Sequence, residues 1–393
     1  MSDVRYWQVP GRVNVIGEHL DYNGGPVLPI AIDRTMFIKI RARDDATIRL
    51  WSTFAGERHH TEFGVDATPD EVEPWARYVA GSIWAYRDNG GRCHGADIVI
   101  ESQIPGGAGL SSSAAVTCGV VAAVADLDDP GALDRLSIAR LGRRAETDYV
   151  GVPVGFMDQL AVTCAQDGKA LLINTGSINT GSIDTGSINT GSINTGSIDS
   201  ESGSSGMEHV NAEWERDGLE LMVVATGVPH ALTDGSYAQR RQECESAARE
   251  LGLDYLSHAG PDAVLRLSDS TLIARTRHVI TETARVRGAV KALSAAEWPE
   301  LGAKLTASHV SLRDDFQVSS AELDVTVDAA LEAGALGARM TGGGFGGSAI
   351  ALVPRDTRDT VAERVTAAFQ DAGWAAPDIF TVRPAAGLHR SNA

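Results

Sequence analysis

The polar residues most suited to chemistry begin in the stretch GRVNVIGEHLDYNGG, residues 11–25. It sets Arg12, Glu18, His19 and Asp21 beside glycines. Carboxylates accept hydrogen bonds from two hydroxyl groups at once, which suits a neutral sugar. An inward-facing arginine needs a carboxylate or a phosphate as its partner. The stretch therefore predicts a sugar-binding loop, although a charged surface turn would also have this composition.

A second stretch, IPGGAGLSSSAAV at residues 104–116, joins a predicted strand to a predicted helix. Its glycines allow the backbone to approach a ligand closely, and its serines fall in the first helical turn, where free N–H groups and the helix dipole favour an anion. The stretch lacks the Gly-Lys-Ser/Thr ending of a common P-loop, so a metal ion and backbone dipoles would have to neutralise a bound phosphate. Taken alone, the stretch is equally compatible with a glycine-rich turn capped by serine.

The third stretch is GVPVGFMDQLAVTCA, residues 151–165, in which Asp158 is the only carboxylate. If a helix begins at Gly155, Asp158 lies in its first turn, where the helix dipole favours the ionised form. Such a carboxylate with an arginine nearby can position and deprotonate a hydroxyl group. Glu146, on the preceding helix, could supply a carboxylate for Mg²⁺. The alternatives are an ordinary first-turn aspartate and a solvated helix face.

The fourth stretch is MTGGGFGG, residues 340–347, with five glycines in eight positions between two apolar segments. So many glycines weaken a strand, which indicates a close approach of the backbone to a ligand or to another loop.

These stretches must be positioned by a framework of strands and helices that the hydrophobic pattern predicts. Strands and helices do not alternate regularly along the chain, so the pattern favours an α+β fold over a doubly wound sheet. The predicted strands cover residues 34–43, 46–52, 96–102, 169–173, 219–226 and two within 338–353. The predicted helices cover residues 75–89, 131–151, 236–252, 269–294, 297–316 and 359–373.

Residues 174–206 interrupt this framework with five tandem copies of a five-residue unit such as NTGSI, followed by DSESGSSG. Each copy carries one isoleucine, too little apolar surface to offset the entropy lost on ordering. We predict a mobile surface loop that separates a first domain, residues 1–173, from a second, residues 207–393. A lid, an oligomer contact or a short stacked β-structure are the alternatives. Such an insertion is tolerated if its two ends lie close together.

The composition narrows the class of protein. With 34 Lys and Arg against 52 Asp and Glu, the formal charge of −18 disfavours nucleic acid and anionic membranes as partners. No apolar run reaches the roughly 18 residues of a membrane span. The four cysteines form no C-x-x-C pair, and the N-terminus shows no secretory signal. We therefore expect a cytoplasmic protein, and we also expect a monomer.

The stretches at 11–25, 104–116 and 340–347 together resemble, in the same order, the three signature motifs of the GHMP small-molecule kinases. The first resembles the form found in the members that phosphorylate galactose. The likeness continues through VGFMDQLA, SYAQRRQECESA, RTRHVITETARV and SHVSLRDDFQVSSAELD, so it covers nearly the whole chain except the repeats. One departure is Ser348, where a cysteine is frequent, and we expect no consequence from it.

The resemblance implies a two-domain α+β fold with mixed sheets packed against helices and the active site between the domains. It also implies ATP, Mg²⁺ and transfer of the γ-phosphoryl group to the anomeric hydroxyl of galactose. A related kinase for N-acetylgalactosamine, arabinose or a uronic acid is one alternative. A non-catalytic sensor of galactose and ATP is another, but a sensor would be expected to lack the base or the arginine, and both Asp158 and Arg12 are present.

The same resemblance implies a role for individual residues. Asp158 would be the catalytic base, and Arg12 would orient it. The sugar would be bound by Glu18, His19, Asp21, Gly155 and Tyr237. The phosphates of ATP would lie among Gly106, Gly107, Gly109, Leu110, Ser111 and Ser112, with Trp75 near the adenine. Ser113 and Glu146 would hold Mg²⁺, and Gly342, Gly343 and Gly344 form the third glycine motif.

Overall fold

The structure, a computed structural model, describes residues 4–54, 57–179, 206–228 and 235–391. Its strands are β1 (Arg5–Asn14), β2 (Pro26–Val27), β3 (Pro29–Ala42), β4 (Thr47–Phe54), β5 (Glu57–Gly64), β6 (Ala96–Ser102), β7 (Lys169–Asn174), β8 (Met207–Asn211), β9 (Leu219–Ala225), β10 (Gly337–Thr341), β11 (Ser348–Pro354), β12 (Asp378–Val382) and β13 (His389–Ser391). Its helices are α1 (Arg77–Asp88), α2 (Ser112–Asp128), α3 (Arg135–Arg144), α4 (Met157–Cys164), α5 (Thr175–Asn179), α6 (Ser236–Leu251), α7 (Ser270–Ser294), α8 (Trp298–Ser311), α9 (Ala321–Glu332) and α10 (Arg358–Asp371).

The strands form three sheets. The largest has the order β13-β1-β3-β6-β4-β5, the second has the order β10-β11-β9-β12, and a small third sheet has the order β2-β7-β8. Within the largest sheet β4 and β6 run parallel, whereas β1, β3 and β6 are antiparallel neighbours. Mixed sheets packed with helices confirm the predicted α+β class.

Helix α2 lies against the largest sheet and positions the second glycine stretch, residues 104–116. It is rich in alanine and valine and is buried on nearly all sides, because β1 and β3 cover one face and α1, α3 and α4 cover the others. A Cβ at Gly119 would lie 2.5 Å from Ile38 and 2.6 Å from Val9. The glycine therefore lets the helix approach the sheet closely.

The second sheet is covered by α8 and α9, and α10 packs against α9. Its strands β10 and β11 pair from Gly337↔Leu352 to Thr341↔Ser348. The third glycine stretch, residues 340–347, therefore connects two antiparallel strands. Helix α7 packs against β2 and β8 of the small sheet and joins the two halves of the chain.

The division of the chain at residues 174–206 stays a prediction, and strand pairing adds two details to it. Strand β8 belongs to a sheet with β2 and β7, and β13 returns to pair with β1. Most of the repeats, residues 180–205, lie outside the described residues. The ends of the insertion are close together as required, because the backbone N–H of Asn174 donates to the carbonyl of Gly206 at 2.8 Å.

Two predicted helices end in a wider turn than expected. The helix predicted at 131–151 becomes α3 followed by a π-helical turn, Ala145–Val150, and the one at 297–316 becomes α8 followed by the π-helical turn Leu312–Phe316. Strand β1 was not predicted, since its glycine and polar residues obscure the strand pattern, and β2, β5, β8, β12, β13 and α9 were also missed. The predicted mobile loop was wrong at its start, because Thr175–Asn179 forms α5, in which Thr175 and Ile178 are buried.

Candidate active site

The predicted stretches meet around one cavity of about 750 Å³. Residues of both predicted domains line it. The predicted residues that line it are Arg12, Glu18, His19, Asp21, Trp75, Gly106, Gly107, Gly109, Leu110, Ser111, Ser112, Ser113, Gly155, Asp158, Tyr237, Gly342 and Gly343. Glu146 and Gly344 are not among the lining residues.

Asp158 lies in the first turn of α4, as the sequence predicted, and its carboxylate is held from two sides. The guanidinium of Arg12 donates from both Nε and a terminal nitrogen to Oδ1 at 2.9 Å. The hydroxyl of Ser111 donates to Oδ2 at 2.5 Å. The Asp158 side chain is 29% exposed and that of Arg12 only 6%. The carboxylate therefore faces the cavity while the arginine stays behind it.

Arg12 is placed by the end of β1, where the strand meets the second glycine stretch. The β1–β3 register breaks between Pro10 and Arg12. Beyond that break the backbone N–H of Arg12 donates to the carbonyl of Leu110 at 3.1 Å, and its side chain donates to the carbonyl of Gly109. One arginine thus joins the predicted sugar stretch, residues 11–25, to the glycine loop at residues 104–111 and to Asp158.

The glycine loop, residues 104–111, ends where α2 begins. Gly107 and Gly109 have φ angles of 73° and 71°, in the left-handed region that glycine adopts readily. Ser111 precedes the first turn of α2, and no side chain caps the helix there. The first backbone N–H groups of a 17-residue helix are therefore open to an anion at the cavity wall.

Glu146 lies behind this helix end, in the π-helical turn, and is 1% exposed. Its Oε1 accepts from Gln159 at 2.7 Å and from Thr117 at 3.3 Å, and the Ser113 hydroxyl is also hydrogen-bonded to the carboxylate. No lysine or arginine of the described residues forms an ion pair with it. Burial, with the charge of Asp158, raises the pKa of Glu146 to about 7.

Those contacts provide a test of whether the predicted metal pair fits. A buried carboxylate without a cation is costly, and a divalent cation beside it would favour its ionised form. Mg²⁺ takes oxygen ligands from one or two carboxylates together with the phosphates of a nucleotide. The pair Ser113 and Glu146 fits this chemistry. A cluster of three or more acidic, His or Cys ligands is not found among residues 4–54, 57–179, 206–228 and 235–391.

Asp21 and Gly155, both predicted sugar ligands, lie next to each other in the wall of the cavity. Oδ1 of Asp21 accepts from the backbone N–H of Tyr22 at 2.9 Å. A Cβ at Gly155 would lie 1.6 Å from Oδ2, so only glycine allows the carboxylate to occupy this place. Burial, together with the charge of Asp158, raises the pKa of Asp21 to about 6.

His19 sits among aromatic rings on the same side of the cavity. Its ring lies 4.6 Å from that of Phe316 and 5.4 Å from that of Tyr237, and Nδ1 is 2.9 Å from the hydroxyl of Tyr22. Its Nε2 is 3.2 Å from the carbonyl of Gly343, in the third glycine stretch. Burial raises the pKa of the Tyr237 hydroxyl, which therefore stays protonated and can donate a hydrogen bond.

Glu18 is placed differently from the other predicted sugar ligands, because protein groups hold both of its oxygens. Oε2 forms a buried ion pair with Arg339. Oε1 accepts from the backbone N–H of Gly342 at 3.0 Å and from the hydroxyl of Thr341 at 3.2 Å. Its role as a sugar ligand stays a prediction. Its described contacts tie the sugar stretch to the third glycine stretch.

Three residues of the second half of the chain support the sugar stretch. None of them was predicted from the sequence as a site residue. Arg339 also donates to the carbonyl of Val15, at 2.9 Å. Glu282 accepts from the backbone N–H of Gly17 at 3.0 Å, and His278 Nε2 lies 3.2 Å from the carbonyl of Glu18. Burial lowers the pKa of His278 to about 4, so it is neutral. The only sequence pattern that could have indicated these residues is the i, i+4 spacing of His278 and Glu282 in α7. That spacing is also common on solvated helices.

The third glycine stretch contacts the second, as its glycines predicted. A Cβ at Gly342 would lie 3.3 Å from the carbonyl of Gly109. Ser348, for which we expected no consequence, is fully buried and donates from Oγ to the carbonyl of Ala108 at 2.7 Å. The hydroxyl therefore supports the glycine loop, and the absence of a consequence from serine in place of cysteine stays a prediction. Gly344 instead packs on the carbonyl of Val318.

The far end of the cavity is apolar. It lies between α1 and the largest sheet, where its walls include Met36, Leu50, Val79, Ile100 and Ile104. Trp75 is at its rim, with its indole N–H donating to Glu73 at 2.6 Å and its ring 5.4 Å from that of His59. These apolar wall residues were not predicted as site residues, since the alternation of Met36, Leu50 and Ile100 in their strands also fits an ordinary core.

Family models match most of the chain outside the repeats. A model described as the GHMP kinases N terminal domain matches residues 77–166, and one described as GHMP kinases C terminal matches residues 289–371. A galactokinase galactose-binding signature matches residues 2–42. A model of pentapeptide repeats matches residues 172–207.

Whole-chain comparisons agree. The chain is 41% identical to a galactokinase of Streptomyces coelicolor, over 98% of this chain and 93% of the relative, and 37% identical to one of Mycobacterium tuberculosis, over 96% and 97%. It superposes on the crystal structure of Lactococcus lactis galactokinase complexed with galactose with a TM-score of 0.85 and 30% identity, covering 98% of this chain and 95% of that one. The Methanococcus jannaschii mevalonate kinase shares the fold at a TM-score of 0.66 and 19% identity.

The fold, the two glycine stretches and the carboxylate in the cavity agree with these similarities. The chain belongs to the GHMP kinase family. It is a sugar kinase of that family. Its place within the family is among the galactokinases.

None of the helices in the described ranges is long and apolar enough to span a membrane. The four cysteines, all within the described residues, are free thiols.

Proposed function

We propose that this chain transfers the γ-phosphoryl group of ATP to the anomeric hydroxyl of galactose and releases galactose 1-phosphate and ADP. The observation that carries the proposal is the position of Asp158. Its carboxylate is held by Arg12 and exposed to a cavity that is also lined by the polar residues of the first stretch and by the uncapped N-terminus of α2, with apolar side chains at its far end. Galactokinases that match nearly the full length of the chain support galactose as the acceptor.

The sugar lies between Asp21, His19 and Tyr237. Asp21 accepts hydrogen bonds from two sugar hydroxyls, and the protonated hydroxyl of Tyr237 donates to a sugar oxygen. Gly155 allows Asp21 to keep its carboxylate in this place, because a Cβ at Gly155 would lie 1.6 Å from Oδ2 of Asp21. The anomeric hydroxyl then faces Asp158, which lies in the same cavity.

ATP occupies the rest of the cavity. Its base enters the apolar end between α1 and the largest sheet, and its phosphates lie against the glycine loop and the first N–H groups of α2. Ser113 and Glu146 would hold Mg²⁺, which would supply positive charge to offset that of the phosphates.

Asp158 and Arg12 promote the transfer. Asp158 accepts a hydrogen bond from the anomeric hydroxyl and takes its proton as the new O–P bond forms. Arg12 keeps the carboxylate in place and, with its fixed positive charge, stabilises negative charge that develops between the acceptor and the γ-phosphate. The chemistry is thus mainly positioning and electrostatic stabilisation.

The test is ADP release from ATP and Mg²⁺ with galactose, N-acetylgalactosamine, glucose, arabinose, glucuronate or no sugar. We expect release that depends on galactose, with a sugar 1-phosphate confirmed by phosphorus NMR. Release with another sugar alone would keep the reaction and overturn the proposed substrate. If galactose raises the melting temperature without any turnover, the chain is a sensor and the proposal fails.

A cytoplasmic location and a monomeric state stay predictions of the sequence. Light scattering of the purified chain tests the second of these directly.

A further inference from the structure

Ser111 has an unusual conformation for its position. It precedes the first turn of α2 with φ 61° and ψ 39°, in the left-handed region. Residues with a Cβ are uncommon there, and glycine is the residue that adopts this region without strain. Ser111 is 8% exposed, so solvation of its hydroxyl does not explain why a serine occupies the position.

Helix capping does not explain the serine either. A serine before a helix usually accepts a hydrogen bond from the backbone N–H two or three residues later. At Ser111 no such bond forms. The hydroxyl instead donates to Oδ2 of Asp158 at 2.5 Å, while Arg12 donates to Oδ1. The side chain is committed to the carboxylate at the centre of the cavity.

We propose that Ser111 is a positioning residue that orients the carboxylate of Asp158, and not a ligand of the ATP phosphates; this inference rests on the proposed function. Two donors on different oxygens fix the plane of a carboxylate, and its remaining lone pairs are left for the acceptor hydroxyl. The arrangement is needed because two other buried carboxylates, Asp21 and Glu146, interact unfavourably with the charge of Asp158. The only positive charge in direct contact with Asp158 among the described residues is that of Arg12.

The alternative role for Ser111, as a phosphate ligand, came from the family resemblance. In the structure that role is left to the neighbouring backbone N–H groups and to Ser112, which lies in the first turn of α2 and lines the same cavity. The two roles predict different effects of removing the Ser111 hydroxyl. A phosphate ligand affects ATP binding, whereas a positioning residue affects turnover.

The test is Ser111→Gly, because glycine suits a φ of 61° and the substitution removes only the hydroxymethyl group. The matched control is Ala296→Gly, at an exposed residue with φ 55° after α7 and outside the cavity. We expect both variants to melt at or above the temperature of the unchanged protein. Ser111→Gly should lower kcat by about tenfold or more, as expected for a lost hydrogen bond to a charged group. Ala296→Gly should leave kcat unchanged.

Calorimetry with Mg²⁺ and an imido-bridged ATP analogue supplies the second readout. We expect the same Kd for Ser111→Gly and the unchanged protein. A weaker Kd would show a phosphate ligand, an unchanged kcat would show that the hydroxyl has no role, and a lower melting temperature would show a structural role; each result overturns the inference. Ser111→Ala, which keeps the Cβ, should lose the same amount of kcat and be less stable than Ser111→Gly.

Failure of this inference can be told apart from failure of the proposed function. An unchanged protein that phosphorylates no sugar overturns the proposed function, and the inference with it. An unchanged protein that is active on galactose, together with an equally active Ser111→Gly variant, overturns the inference alone.

Discussion

The two loops that meet at Asp158 are held by different kinds of contact. The sugar loop, residues 17–22, is braced from the second half of the chain by Arg339, Glu282 and His278, all buried. The glycine loop, residues 104–111, is held mainly through its own carbonyl groups.

This difference fits what each loop must recognise. A sugar is distinguished by the placement of its hydroxyl groups, so its ligands must be rigidly oriented, and buried charged pairs provide that at a cost in desolvation. Phosphates are bound by backbone N–H groups, so the glycine loop needs a fixed main chain and few side chains. Removing the contacts that support one loop should therefore have an effect of different size and kind from removing those that support the other.

The largest effect is expected at the buried ion pair. Arg339→Met leaves the carboxylate of Glu18 buried without its cation, which should lower the free energy of unfolding by about 3–5 kcal/mol. Urea denaturation followed by circular dichroism measures it. Arg364→Met is the matched control, because Arg364 forms an exposed pair with Glu332, and it should change stability little. Equal losses in both variants would remove the distinction between the two kinds of support.

The next effect concerns pH at the sugar loop. The pKa of Asp21 is raised from 3.8 to about 6 by burial and the charge of Asp158, so its ionised form is lost as the pH falls through about 6. The affinity for galactose, measured by calorimetry without nucleotide, should fall by about tenfold for each pH unit below that value.

The free energy of unfolding should depend on pH with the opposite sign to the galactose affinity. The Asp21 contribution to the free energy of unfolding is fully present below pH 3.8 and is lost as the pH rises through about 6.

The control for the galactose measurement is Asp21→Asn, which should bind galactose more weakly and with an affinity that does not fall below pH 6. An unchanged pH dependence in Asp21→Asn would assign the titration to another group.

The smallest effect is expected at the glycine loop. Ser348→Ala removes one buried hydrogen bond to the carbonyl of Ala108, a change of about 1 kcal/mol. The KM for ATP should rise by about fivefold, and the affinity for galactose should not change. Ser294→Ala, at the exposed last residue of α7, is the control. A loss of galactose affinity in Ser348→Ala would show that the two loops are not separately supported.

The same contrast explains what could be predicted from the sequence. Arg12 and Asp158 could be paired in advance through the family resemblance, since the residues alone indicated only that an inward arginine needs an anion and that a lone carboxylate in an apolar run is a candidate. The glycine loop could be placed because strand, glycine turn and helix follow one another directly. The predicted approach of the third glycine stretch to another loop was likewise confirmed at Gly342.

The support of the sugar loop could not be predicted. Glu18 and its partner Arg339 are 321 residues apart, and only tertiary packing selects that partner. Ser111 illustrates the same limit at short range, since its place before a helix indicated a cap or a phosphate ligand. The structure shows its hydroxyl turned toward Asp158, 47 residues later.

The measurement that tests the account most directly is phosphoryl transfer to galactose by Asp158→Ala, with binding measured on the same sample. We predict that turnover falls by at least about a thousandfold, while calorimetry shows that the imido-bridged ATP analogue with Mg²⁺ still binds. Turnover close to that of the unchanged protein would contradict the central claim that Asp158, held by Arg12, activates the acceptor hydroxyl.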